Sequence, residues 1–245
     1  MEESIVKVEN LSHRYTIQWA VRDINFEITR NGIYGLLGSN GAGKSTTMRM
    51  ITGFLPPSSG TATICGCDIT ADPVGAKRNL GYLPESAPSY RAMAVDEFLS
   101  FIAEIRGFRG AARREAVDRV IAQARLEPVA KKTIETLSKG YRQRTCFAQA
   151  IIHDPKVLIM DEPTDGLDPN QKYAVREMIK SMAAEKAIVI STHILEEVDA
   201  VCTRAIVIAH GEVKADGTPE ELRKMDASGK LDVVFRNLTM EGEGK

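Results

Sequence analysis

The chain has 245 residues, 43% of them hydrophobic and 27% charged, enough for one large α/β domain or a domain that carries an insertion. Lys and Arg (32) nearly balance Asp and Glu (33), so the strong positive field of a nucleic-acid binder is excluded and no nucleic-acid partner is expected. No apolar run approaches the length of a membrane span, and the start, Met1-Glu2-Glu3-Ser4, lacks the basic and apolar regions of a signal peptide; the expectation is a cytosolic protein unless a partner holds it elsewhere.

Ile5–Val8 and Asp23–Thr29 alternate apolar and polar side chains, as in an antiparallel strand pair with one wet face. Between them lies Ser12-His13-Arg14-Tyr15. Tyr15 is a candidate for stacking on an adenine ring, with Trp19 its rival and a solvated turn tyrosine the plain alternative. Gly32–Leu37 reads as a short buried strand, and Thr46–Ile51 as the start of a helix that ends near Gly53. The stretch between, Gly38-Ser39-Asn40-Gly41-Ala42-Gly43-Lys44-Ser45-Thr46, fits G-x-x-x-x-G-K-[ST] in full. Its glycines let successive N–H groups turn inward toward an anion, and the helix presents its positive end to the same anion. Lys44 supplies a mobile charge for the outer phosphates of a nucleotide, and the Ser45 hydroxyl is suited to Mg²⁺.

Pro56–Gly60 is a loop by composition, Thr61–Cys65 is β-rich, and Asn79–Pro84 looks like a strand stopped by proline, with Glu85 directly after it. The cysteines are Cys65, Cys67, Cys146 and Cys202. Cys65-Gly66-Cys67, without a second pair or a nearby His, is a weak zinc signal, and reduced core thiols are the better reading.

From Arg91 the pattern turns helical. Val95, Phe98, Leu99, Ile102 and Ile105 recur at helical spacing before Gly107, and Ala116, Val117, Val120, Ile121 and Ala124 repeat it. Arg106, Arg109, Arg113 and Arg114 cluster between these helices, as a solvated face or as a contact for lipid headgroups or a partner. Leu137-Ser138-Lys139-Gly140-Tyr141 opens a further helix, Arg142–Ile152, with Ser138 as N-cap. Strands return at Val157–Met160, ended by Asp161-Glu162, and at Ala187–Ile190, ended by Ser191-Thr192-His193. Ala205–Ala209, His210-Gly211 and Glu212–Lys214 read as strand, turn and strand, and Thr218–Glu221 is a capping box with proline at the first helical position. The tail after Asp226 carries too few apolar residues for a domain of its own.

Three apolar strands thus carry polar groups just past their C-terminal ends, the edge at which open parallel sheets bind ligands. Lys44, Ser45, Asp161, Glu162 and His193 are expected to converge there on one nucleotide. Two adjacent carboxylates repel unless a cation separates their roles. Asp161 is suited to hold Mg²⁺ through water, and Glu162 to orient and deprotonate an attacking water.

Taken in order, these motifs resemble the nucleotide-binding subunit of ATP-binding cassette (ABC) transporters over nearly the whole chain. Gly38–Thr46 looks like Walker A, Val157–Glu162 like Walker B with the catalytic glutamate, and Leu137–Tyr141, with Arg142-Gln143-Arg144 behind it, like the family signature. Thr164-Asp165-Gly166-Leu167-Asp168 is similar to the D-loop, His193 to the switch histidine, and Tyr15 to the adenine-stacking aromatic. Two positions depart from the pattern. Lys139 and Tyr141 replace a glycine and a glutamine of the signature, while Ser138 and Gly140, which should meet the γ-phosphate, are kept. Glu85 stands where the family usually has the Q-loop glutamine, and as a carboxylate it can still ligate Mg²⁺. Both variants, with the closing Val234–Thr239, resemble bacterial export-type cassettes of the multidrug, gliding-motility and copper-maturation kinds.

The resemblance implies an α/β P-loop core (1–85 and 154–225) with a parallel sheet and an antiparallel N-terminal layer, a helical subdomain at 86–153, and a short tail, 226–245. It implies ATP hydrolysis with Mg²⁺, an ATP-sandwich homodimer, and a separate integral membrane permease that holds the protein at the cytoplasmic face of the membrane, with export the expected direction. ATP would be held by Tyr15, Gly38–Thr46, Ser138 and Gly140, the metal by Ser45, Asp161 and Glu85, and catalysis would fall to Lys44, Glu162 and His193. A soluble cassette acting on ribosomes or DNA, and a P-loop kinase in which Leu137–Tyr141 is an ordinary helix cap, are the other readings.

Overall fold

The structure, a computed structural model, describes residues 4–29, 32–86 and 88–240. The acidic start, Met1–Glu3, and residues 241–245 of the tail lie outside them. β1 (Val6–Tyr15) and β2 (Gln18–Ile28) form an antiparallel hairpin in which Val6 faces Ile28 and Tyr15 faces Gln18. The pair is longer than the alternation at its far end suggests. Ser12–Tyr15 is strand because its residues find partners in β2, with bulges after Val8 and Leu11 and left-handed backbone at Asn10 and Asp23 taking up the irregularity. Next along the chain come β3 (Gly32–Leu37), α1 (Lys44–Ile51), β4 (Ser59–Ile64) and β5 (Cys67–Asp68). β4 pairs with β1 and turns into β5 through Cys65-Gly66, both at positive φ, so the C-x-C stretch is a hairpin turn. The first sheet has the order β2-β1-β4-β5.

The second sheet is six-stranded, β10-β9-β3-β8-β7-β6, built from β3, β6 (Leu80–Leu83), β7 (Val157–Asp161), β8 (Ala187–Thr192), β9 (Arg204–Ala209) and β10 (Glu212–Gly217). β9, β3, β8, β7 and β6 run parallel, and only β10 is antiparallel to its neighbour. Val157 to Met160 are all fully buried because this sheet is covered on both faces. Val157 and Ile159 face the core shared with α1 and the first sheet, whereas Leu158 and Met160 face the helices.

Between β6 and β7 the chain forms α3 (Val95–Ile105), α4 (Gly110–Gln123) and α5 (Lys139–Ile151), preceded earlier by the short α2 (Pro73–Arg78). Phe98, Leu99, Val120, Leu126 and Phe147 share one apolar core with Leu158 and Met160, so the helices are seated on the sheet. Three of the clustered arginines bond within the chain: Arg106 Nη1 donates to Lys77 O at 3.0 Å, Arg109 Nη1 to Glu104 O at 2.6 Å, and Arg113 Nη1 to Glu104 Oε2 at 3.1 Å. After β7 come α6 (Pro169–Met182) and α7 (Leu195–Val201); after β10 come α8 (Pro219–Arg223), closed by reciprocal Thr218–Glu221 bonds of 2.8 and 3.2 Å, and α9 (Leu231–Met240). α9 lays Leu231, with Phe235 and Leu238 beside it, on Leu37, Val207 and Leu222, which gives the tail a cover to form. No helix among the described residues is long and apolar enough to cross a membrane.

α5 returns to the sheet at a close contact. A Cβ on Gly81 of β6 would lie 2.3 Å from Ala150 O, and His153 Nε2–H donates to Leu80 O at 2.9 Å. Burial first, and the charge of Arg106 second, push the His153 imidazole down to about 4 from its ordinary 6.5. The unfolded chain therefore takes up a proton below 6.5 that the folded chain refuses, so stability is full above that pH and falls as the pH drops toward 4. His153→Gln keeps a donor for Leu80 O without a titrating ring. Urea denaturation at pH 7 and pH 4.5 should show the wild type losing up to about 3 kcal/mol more than the variant between the two. Equal losses would show that His153 is not held neutral.

Candidate active site

β3 ends in the loop Gly38–Gly43, which leads directly into α1. Gly38 approaches Ile208 O so closely that a Cβ would lie 2.5 Å away, and Gly43, at φ +109, would place one 2.7 Å from Ala20 O. Glycine at these points lets the loop fold tightly over the strand ends. Lys44 is 6% exposed, with Nζ donating to Gly38 O at 2.8 Å and Ser39 O at 3.2 Å and lying 3.6 Å from Glu162 Oε1. The loop curls around its own lysine, and the first N–H groups of α1 open on the same space.

The end of β7 carries two adjacent carboxylates, Glu162 lining that space and Asp161 lying behind it. Asp161 is 1% exposed, a burial that needs donors. Its Oδ1 accepts from Ser191 Oγ, at the end of β8, at 2.5 Å and from Ser45 Oγ at 3.1 Å. The same Ser191 hydroxyl accepts from the Glu162 backbone N–H at 2.9 Å. Glu162 has φ +48, a left-handed conformation costing a non-glycine residue about 1–2 kcal/mol, and the bond from Ser191 helps to hold it. Its carboxylate meets His193 Nδ1 at 3.0 and 3.1 Å, which fixes Nδ1 as the donor and leaves Nε2 available.

Lys44, Ser45, Glu162 and His193 line a polar cleft of about 380 Å³ at the C-terminal edge of the parallel strands, together with Asn40, Gly41, Thr46, Asp165 and Glu85, and the buried Asp161 and Ser191 lie behind its wall. Ser45 and Glu85 line the cleft, and Asp161 bonds Ser45 from behind; oxygen donors of this kind suit a hard cation. Among the described residues no group of three His, Cys, Asp or Glu side chains is placed to hold an ion. Other expected residues stand apart from the cleft. Tyr15 is 46% exposed and packs edge-on against His13, with ring centres 4.5 Å apart, while Trp19 lies under Arg14 at 5.4 Å. Neither lines the cleft, although Ala20 does. Ser138 caps α5, accepting from Tyr141 N at 3.4 Å, and neither it nor Gly140 reaches the cleft of its own chain. The sequence reading missed the role of Ser191; a hydroxyl at the end of a buried strand was its one signal.

The pattern of the ABC transporter family matches residues 21–165. The Nod factor export ATP-binding protein I of Ralstonia nicotianae is 37% identical over 219 residues, covering 89% of this chain and 68% of that one. A solved ATP-binding subunit of an ABC transporter superposes with a TM-score of 0.87 at 31% identity, covering 96% of this chain and 99% of that one. The cbiO1 protein of Clostridium perfringens, described as part of the cbiONQ transporter complex, gives a TM-score of 0.82 at 29% identity, with 98% and 96% covered.

Ser191 can be tested without any ligand. Ser191→Ala removes a donor to Asp161 and the acceptor for the strained Glu162 N–H. The urea midpoint should fall by the equivalent of about 1–3 kcal/mol, the cost of stranding buried polar groups. An unchanged midpoint would show that Ser191 does not hold this corner.

Proposed function

The chain belongs to the ABC transporter family as an ATP-binding subunit, and from that premise we propose that it hydrolyses ATP to ADP and phosphate to drive export through a separate membrane permease. The observation that supports this most is the meeting of Lys44, Ser45, Glu162 and His193 in one cleft beneath a phosphate-binding loop, with the buried Asp161 bonded to Ser45 behind them. In this reading Gly38–Thr46 wraps the phosphates, and Lys44 exchanges its carbonyl partners for the outer phosphate oxygens. Glu162 takes the proton of the attacking water, and His193, donating through Nδ1, holds the carboxylate toward it. Ser45, Asp161 and Glu85 would hold Mg²⁺, which when bound would neutralise charge at the phosphates. Tyr15 stacks on the adenine from the hairpin beside Ala20.

Residues 1–85 and 154–225 act as the nucleotide-binding core and 86–153 as its helical subdomain. Ser138 and Gly140 lie outside their own cleft, which supports a second copy of the chain whose cleft they complete. No described helix is fit to span a membrane, so movement of cargo falls to another subunit, and the protein sits at the cytoplasmic face through that partner. The name of the Nod factor export relative favours export, and the transporter complex of cbiO1 favours a membrane partner.

Lys44→Ala should lower ATP turnover by about 10²–10³, as expected when a charge aimed at the transition state is lost; near-normal phosphate release without any phosphoacceptor would overturn the reading. Glu162→Gln should bind Mg²⁺–ATP without hydrolysing it and accumulate as a dimer in light scattering, while the nucleotide-free protein stays smaller. A monomer under both conditions at high protein concentration would refute the paired arrangement. At Glu85, Gln should preserve more turnover than Ala, because the amide oxygen remains a metal ligand; equal rates for the two would remove Glu85 from the metal site.

A further inference from the structure

A second carboxylate, buried more deeply than Glu162 and outside the cleft, touches both of the segments that carry the proposed chemistry. Glu197, on α7, is 2% exposed. Its Oε2 accepts from Thr192 Oγ1 at 2.7 Å, and its Oε1 accepts from Thr164 Oγ1. Arg176 Nη2, from α6, lies 3.6 Å from Oε1 and balances the charge. Thr192 is the residue before His193, and Thr164 is the second residue after Glu162. The side chains of His193 and Glu162 then meet at 3.0 Å. The contacts close a ring that runs from Glu162 through Thr164, Glu197, Thr192 and His193 back to Glu162.

The ring requires a carboxylate. Thr192 Oγ1 already accepts from the Ile194 backbone N–H at 3.0 Å, so its own proton is free to donate to Glu197. Thr164 and Thr192 are both nearly inaccessible, and each points its hydroxyl at a different Glu197 oxygen. Two donating hydroxyls need two accepting oxygens, and an amide offers only one.

We infer that Glu197 is a positioning residue for hydrolysis, one that fixes the Glu162 and His193 segments relative to each other. The inference rests on the proposed function, which gives those two residues their roles. Lys44 approaches the ring only at Glu162 Oε1, 3.6 Å away, and is held by the loop carbonyls of Gly38 and Ser39, so nucleotide binding should depend little on the ring. Helix anchoring alone would give a different result: general loosening of the fold, with binding and turnover declining together.

The test measures kcat, KM and the Mg²⁺–ATP dissociation constant of the full chain. Glu197→Gln and the isosteric Thr192→Val should each lower kcat about tenfold or more while the dissociation constant stays within about twofold, the pattern of an interaction that counts only in the transition state. Thr192→Ser, which keeps the hydroxyl, should recover most of the rate. The double variant Glu197→Gln/Thr192→Val should be no slower than the slower single one, because both break the same ring. Where Glu197→Gln fails to fold, the Thr192 Val and Ser pair decides alone. A kcat within about twofold of wild type for Thr192→Val, or equal proportional losses in kcat and affinity, would overturn the inference. Glu162→Gln and His193→Ala are run alongside. Should these turn over like the wild type, the hydrolysis reading itself falls and the inference with it. Should they lose turnover while Thr192→Val does not, the inference alone falls.

Discussion

One buried carboxylate sets the position of everything around it. Asp161 is accessible over only 1% of its surface, yet it is the point where β7, the end of β8 and the start of α1 are joined, through Ser191 and Ser45. An ion in that place without donors would be strongly unfavourable. The two hydroxyls therefore bring their elements to a fixed distance from Asp161, and the phosphate loop is aligned with the sheet edge as a result. The same Ser191 oxygen secures the Glu162 N–H. A strained residue at the cleft thus draws on a bond that the buried acid already requires.

What the sequence reveals follows from how local each signal is. Gly32–Leu37, Val157–Met160 and Ala187–Ile190 are recognisable as strands because a parallel sheet covered on both faces leaves no polar position within them. α3 and α5 are legible from apolar spacing and from Ser138 at the cap. α6 is less visible, since its buried side is built from Ala174, Val175, Met178, Ile179 and Met182, small or flexible residues set among many polar ones. α9 shows as a polar tail, because its stripe of Leu231, Phe235 and Leu238 has meaning only against Leu37 and Val207, earlier in the chain.

The cleft divides the same way. Lys44, Ser45, Asp161 and Glu162 are found from spacing alone, because a phosphate loop and a strand-end carboxylate pair are short, contiguous patterns. Ser191 and Glu197 are not, because what they do is written in bonds to Asp161 and Thr164, 30 and 33 residues away. Hydroxyls and single acids are common at strand ends and in helix first turns, so nothing local distinguishes these two from solvated ones. Tyr15 is the reverse case. Its local context offered an adenine stack or a solvated turn, and the partner strand makes it part of a hairpin from which Ala20, but not Tyr15, lines the cleft.

The departure at Lys139 bears on how two copies would meet. Its ammonium lies 3.8 Å from Asp165 Oδ2, and Asp165 lines the cleft. Both side chains are about half exposed, and an ion pair so open to water contributes at most about 1 kcal/mol. That is too little to hold the start of α5 against a stronger anion. In the proposed dimer, a phosphate presented by the other copy would carry more charge than Asp165 and would compete with it for Lys139. A lysine in place of the signature glycine therefore need not block the approach of a partner. It rests against Asp165 of the neighbouring loop, and in the proposed dimer it would have a phosphate charge to turn toward.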